Sequence, residues 1–236
     1  MHEFFTDISN LVFDTIFPIY CLRCKTQASE YFCAKCIKKL TPVLAQACAI
    51  CRKPSLAGFT HPGCHNSLTP NLLISVYDYH DKNISEAIIL GKYKFITRIY
   101  EQLGVELALE IKQQYNFVLT DVDYIVPIPL ARLRQRWRGF NQAEILGEKL
   151  ASHSEIKISN ILIRKKNTKT QKDLPQEARF KNMRDAFSIV PGAQVKGKNI
   201  ILVDDVCTTG ATLRQAVKTL KQAGANKVNC ITLASD

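Results

Sequence analysis

Two adjacent carboxylates running into a hydroxyl-rich turn are the residues best placed to do chemistry: Asp204-Asp205-Val206-Cys207-Thr208-Thr209-Gly210-Ala211-Thr212. Ile200–Val203 before them read as a buried strand, and Ala211–Ala223 after them as a helix. The turn therefore opens a helix beyond a strand's carboxyl end. Loop amides, the threonine hydroxyls and the helix N-terminus make an anion site suited to a monophosphate, and Gly210 lets the backbone approach it closely. The carboxylates beside it would accept hydrogen bonds from vicinal hydroxyls such as those of a ribose. The sequence has neither Gly-x4-Gly-Lys-Ser/Thr nor Gly-x-Gly-x2-Gly, so nucleoside-triphosphate and dinucleotide loops are not supported.

A second chemistry lies near the start of the chain. Seven of the nine cysteines fall within residues 21–64. Cys21-x2-Cys24 and Cys33-x2-Cys36 form two knuckles, each able to clamp one side of a tetrahedral Zn²⁺. The pattern recurs 27 residues on as Cys48-x2-Cys51 and His61-x2-Cys64, the mark of a tandem repeat. At the later site His65 in place of His61, or no metal at all, stays open. A disulfide framework is the competing reading, which the absence of a secretory signal disfavours. Neither set leaves an evident position for water, so the metals are expected to be structural, with binding supplying folding energy.

The elements that must position these groups follow from periodicity. A chain of 236 residues with 46% apolar and 22% charged residues can build a substantial core, and the clustered cysteines mark a seam. We read residues 1–70 as an N-terminal helix, spaced by Phe4, Ile8, Leu11, Val12, Thr15 and Ile16, with a double zinc ribbon; residues 71–236 form the second unit. There strands (72–79, 122–128, 161–164, 198–203, 227–233) alternate with helices (83–92, 98–114, 141–153, 211–223), which predicts an α/β fold with a parallel sheet covered on both faces. No apolar run approaches the ~20 residues that span a bilayer. We expect a soluble, cytoplasmic protein without membrane insertion.

Net charge is +11, and residues 132–184 hold 14 Lys/Arg against 5 Asp/Glu. A phosphate-rich partner, a small polyphosphate or a nucleic acid, fits that concentration as well as a merely solvated basic face does. Trp137 and Phe140 lie among the arginines and read first as core residues, with stacking on a base as the other reading.

The segment 200–212 resembles the phosphoribosyl pyrophosphate (PRPP) motif of type I phosphoribosyltransferases. The resemblance implies that Asp204 and Asp205 bind the ribose 2′ and 3′ hydroxyls while Thr208, Thr209, Gly210, Ala211 and Thr212 hold the 5′-phosphate. Pro127-Ile128-Pro129-Leu130 through Arg138-Gly139-Phe140-Asn141-Gln142, with Gln171, Leu174, Arg179, Asn182 and Phe187, is similar to the signature of the competence protein ComF family. That family joins a zinc ribbon to a phosphoribosyltransferase domain with a Rossmann-like parallel sheet. It implies natural transformation and the handling of incoming single-stranded DNA, with other competence proteins as further partners. Family members usually carry Cys-x2-Cys where this chain has His61-x2-Cys64. Cys207 replaces a common aliphatic residue and reads as a small hydrophobe.

For transfer of phosphoribose from PRPP, the main need is cations around the departing pyrophosphate. Mg²⁺ would supply one, and Arg138, directly before Gly139 in the family's pyrophosphate loop, is the favoured side-chain candidate beside Asp204 and Asp205; Lys92 is a weaker one. Lys165, Lys166, Lys169, Lys172, Arg179, Lys181 and Arg184 suggest a basic lid. Two function classes compete: a phosphoribosyltransferase with an unidentified acceptor, and a catalytically silent, PRPP-responsive module that binds single-stranded DNA.

Overall fold

The computed structural model describes residues 18–165 and 185–236. The helix expected within residues 4–16 and, apart from Lys165, the basic lid expected over 165–184, with Gln171, Leu174, Arg179 and Asn182, lie outside the described residues. The elements in chain order are α1 (Ala34–Ile37), β1 (Leu72–Asp78), α2 (Lys82–Tyr93), α3 (Thr97–Gln114), β2 (Tyr124–Pro127), α4 (Arg132–Arg138), α5 (Gln142–Ser154), β3 (Leu162–Arg164), β4 (Phe187–Ile189), β5 (Asn199–Cys207), α6 (Ala211–Gln222) and β6 (Lys227–Ser235).

Four strands form the main sheet in the order β1-β6-β5-β2, all parallel. Successive side chains of a strand point to opposite faces, and β5 illustrates the result. Ile201 and Val203 pack with α2, α3 and α5 through Ile88, Leu103 and Leu146, whereas Ile200 and Leu202 pack with α6 through Ala216, Val217 and Leu220. Both faces are covered, as a parallel sheet requires. Among the described residues no helix is long and apolar enough to cross a membrane.

Three features differ from the periodicity reading. β5 continues through Asp204 and Asp205 to Cys207, because β6 pairs alongside it as far as Cys207 with Ser235. The stretch read as a loop after β2 contains α4, built of good helix formers and ended by Gly139 at φ 78°, whose N–H bonds to the Gln135 carbonyl. β3 and β4 pair antiparallel in a separate ribbon, Ile163 opposite Ser188.

The front end shares the body's core. Leu22, Phe32 and Leu40 belong to the same buried cluster as Leu103 and Ile74. Gln102 on α3 accepts from the Phe32 N–H at 2.9 Å and donates to the Phe32 carbonyl at 2.6 Å. Along the edge of β1, the Gln46 side-chain amide bonds both backbone groups of Ser75, its oxygen taking the N–H at 2.9 Å and its nitrogen reaching the carbonyl at 3.1 Å. Val43 N–H meets the Val76 carbonyl beside it. Gly58, at φ 75°, lies so close to β1 that a Cβ there would fall 2.0 Å from the Leu73 carbonyl oxygen.

Candidate active site and metal centres

Cys21, Cys24, Cys33 and Cys36 converge in one cluster, and Cys48, Cys51, His61 and Cys64 in another, with all donor atoms of each within 4.8 Å of one another. A tetrahedral zinc with ~2.3 Å Zn–S bonds needs sulfurs roughly 3.8 Å apart, so both sets fit that ion. His61, not His65, joins the second cluster. Its Nδ1 is 3.3 Å from the Cys51 sulfur while Nε2 is 3.1 Å from the Pro54 carbonyl, so Nε2 as the donor leaves Nδ1 free to ligate.

The two knuckles share one design. The residue after the second cysteine, Lys25 in one and Arg52 in the other, takes positive φ, and its N–H returns to the carbonyl of the first cysteine, Cys21 or Cys48. The thiols do not ionise alike. A hydrogen bond from Thr26 leads in bringing Cys24 down to about 6, while burial and the neighbouring sulfurs push Cys36 up to about 12. Cys48 falls to about 7 because backbone N–H groups from Cys51, His61 and Ile50 outweigh its burial. Four crowded sulfurs resist ionising together until a cation joins them. Metal analysis of the protein purified without chelator is expected to give two zinc per chain, falling to one for His61→Ala. A native value near one, unchanged in that variant, would remove the second centre.

The other site lies at the carboxyl ends of the parallel strands, where open α/β sheets bind ligands. A cavity of about 350 Å³ is lined by Lys92, Arg134, Arg164, Asp204, Asp205, Thr208 and Thr212, together with Tyr79, Ile128 and Asp236. Lys92, from the end of α2, reaches the Asp205 carboxylate at 2.6 Å. Asp204 accepts from the Asp205 backbone N–H at 2.9 Å. Burial first, then the Asp205 charge, push Asp204 up to about 7. Burial lowers Arg164 to about 10, with Arg134 adding to the effect, and burial also lowers Arg134. Cations held this far from water favour an anionic ligand among them.

Gly210, in the left-handed region at φ 73°, turns β5 into α6 and borders a small recess with Thr208, Ala211 and Thr212. The Thr209 hydroxyl accepts weakly, at 3.4 Å, from the Ala211 N–H. The favoured Arg138 is not among the residues lining the cavity: Arg134 lines it instead, and Arg138 lies one turn further along α4, its Nε buried without a hydrogen-bond partner. Arg164 went unnoticed in the sequence, its one signal being a charged residue closing the apolar run Ile161-Leu162-Ile163.

The second knuckle forms part of the wall behind the turn. Arg214 of α6 donates to the Ile50 carbonyl at 2.7 Å, and Arg52 reaches both the Cys207 sulfur at 3.5 Å and the Asp236 carbonyl at 2.8 Å. Cys207 is buried there, its thiol pushed up by burial, which fits the small-hydrophobe reading.

A parallel sheet ending in paired carboxylates and a threonine–glycine turn, preceded by paired cysteine knuckles, defines a type I phosphoribosyltransferase fold with a double zinc ribbon. Residues 139–236 match the family described as "Phosphoribosyl transferase domain", and residues 12–67 match "Double zinc ribbon domain". The chain is 30% identical to "Competence protein ComFC" of Bacillus subtilis over 251 aligned residues, covering 96% of this chain and 99% of that one. It is 33% identical to "Competence protein F" of Haemophilus influenzae over 155 residues, covering 63% and 67%. To "DNA utilization protein YhgH" of Escherichia coli K12 it is 32% identical over 158 residues, covering 66% and 68%. The chain belongs to the competence protein ComF family.

Proposed function

We propose that the cavity binds PRPP with Mg²⁺ and that the protein transfers phosphoribose to an acceptor while handling single-stranded DNA in the cytoplasm during natural transformation. The carrying observation is one cavity in which two carboxylates, a phosphate-type turn and three cations meet. The names of the relatives support the competence role.

In this reading Asp204 and Asp205 hold the ribose hydroxyls, and the Thr208–Thr212 turn holds the 5′-phosphate. Arg134 and Arg164, with Arg138 one turn away on α4, stabilise the charge that grows on pyrophosphate as C1 becomes oxocarbenium-like. Lys92 is released from Asp205, or shared with it, as the ribose arrives. Mg²⁺ would neutralise phosphate charge when bound. Calorimetry should detect PRPP binding that requires Mg²⁺, and no binding with or without Mg²⁺ would overturn the assignment. Pyrophosphate release on adding nucleobases or oligonucleotides tests turnover separately.

Single-stranded DNA binding is expected to weaken steeply with salt, with a log–log slope of about −0.7 per phosphate contact. Reversing Lys165, Lys166 and Lys169 to glutamate should flatten that slope by roughly 2, as read by fluorescence anisotropy. A flat salt response in the native protein, or an unchanged slope in the variant, would move the binding surface away from this basic segment.

A further inference from the structure

Beside the cavity lies an exposed group of aromatic side chains that the PRPP chemistry does not use. Trp137 is 57% exposed, Tyr93 46% and Phe95 43%. Their rings form one cluster, Trp137 meeting Phe95 edge-on at 4.9 Å between centroids and Tyr93 at 6.3 Å. The expectation of a core tryptophan is thereby corrected: Phe140 packs against the core beside Tyr100, but α4 turns Trp137 outward. Arg134 on α4 lines the cavity, and Trp137, three residues on and so beside it on the helix surface, stands exposed with Leu133 one turn before it.

A contiguous exposed apolar patch is often where a soluble protein binds a partner. Its surroundings select the occupant. Arg132 and Arg136 on the same helix are exposed and form no ion pair among the described residues. Tyr93 directly follows Lys92, which reaches into the cavity. Flat rings flanked by exposed guanidinium groups suit a chain that alternates unpaired bases with phosphates, since bases stack on the rings while phosphates meet the arginines. A duplex hides its base faces and gains only the phosphate contacts.

We infer that Trp137, Tyr93 and Phe95 form a stacking platform for bases of single-stranded nucleic acid, with Arg132 and Arg136 on the adjoining phosphates. This rests on the single-stranded DNA reading above and places base contacts at the mouth of the phosphoribosyl cavity.

Trp137 is the only tryptophan, so its emission reports on the platform directly. Titrating the protein with unlabelled (dT)20 should quench that emission, whereas a duplex of equal length should not. Labelled (dT)20 followed by anisotropy gives affinity independently. Trp137→Ala is expected to weaken binding roughly 5- to 100-fold while leaving the salt slope unchanged, because it removes a stack and no phosphate contact. Trp137→Phe should recover most of the affinity. An unchanged melting temperature in both variants would confirm that an exposed side chain, not the fold, was altered. If anisotropy reports tight binding without quenching, or if Trp137→Ala binds as the native protein does, the platform is wrong and strand binding lies elsewhere. If no oligonucleotide binds at all, the single-stranded DNA reading fails and the platform with it.

Discussion

Replacing Asp204 and Asp205 together by asparagine is expected to weaken Mg²⁺-dependent PRPP binding by roughly 10²- to 10⁴-fold. Each charged hydrogen bond to a ribose hydroxyl contributes about 1.5–3 kcal/mol, and every 1.4 kcal/mol is tenfold in affinity. Asparagine keeps the shape and removes the charge. Calorimetry at pH 8 reads the loss, and unchanged affinity would reject the assignment. Asp204→Asn alone should have a second signature. Asp204 ionises at about 7 in the folded protein against an ordinary 3.8, so its ionisation opposes folding. The associated stability is fully present below the unfolded value and is lost as pH rises through about 7. An asparagine side chain does not ionise, so the single variant should melt higher than the native protein above pH 7 and gain nothing near pH 3. PRPP binding that engages the carboxylate should release a proton between pH 6 and 7, visible as a calorimetric heat that varies with the buffer's ionisation enthalpy. A residue whose charge weakens the fold and strengthens ligand binding is serving the ligand.

Removing zinc should have the largest effect on the fold. Zinc binding by small zinc-finger peptides is worth ~10–16 kcal/mol, comparable with the ~5–15 kcal/mol total stability of an ordinary domain. Leu22, Phe32 and Leu40 are buried in the same cluster as the body's helices, so release of the first ribbon uncovers the shared core and not a separate module. Cys36→Ser is therefore expected to lower the melting temperature of the whole chain by more than ~10 °C, using ~2–4 °C per kcal/mol for a domain of this size. Chelation of the native protein should do the same, with recovery on restoring zinc. A single melting transition that ignores both treatments would show that the ribbon contributes nothing to the body's stability.

What could be read from sequence depended on how locally each feature is encoded. The cysteine pairs and the Asp204–Thr212 stretch were legible because their partners lie within a few residues and because thiolates and paired carboxylates at such spacing have few other uses. The helices and strands of the body were legible from apolar periodicity. α4 was not, since Leu133 and Trp137 bury no stripe and periodicity registers only helices that do. Arg164 was also hidden. It joins Asp204 in the cavity wall by way of the β3–β4 ribbon, far upstream in the chain, and β4 is three residues long. The contacts of Arg52 and Ile50 with the phosphate turn and the helix behind it join residues more than 150 apart, a distance over which composition and spacing carry no information.

The pairing of Gln46 with Ser75 bears on how the chain avoids sticking to itself. β1 reads Leu-Leu-Ile-Ser-Val-Tyr and ends the sheet, and an apolar edge of that kind is a template on which another chain can add a strand. The Gln46 amide fills both backbone positions that an incoming strand would use at Ser75, and Val43 takes the next one. The segment that does this leads directly into the Cys48 knuckle, so a zinc ion held by that knuckle would also keep the edge closed. A chain made before zinc arrives would present an open edge, and for such a chain polymerisation competes with folding.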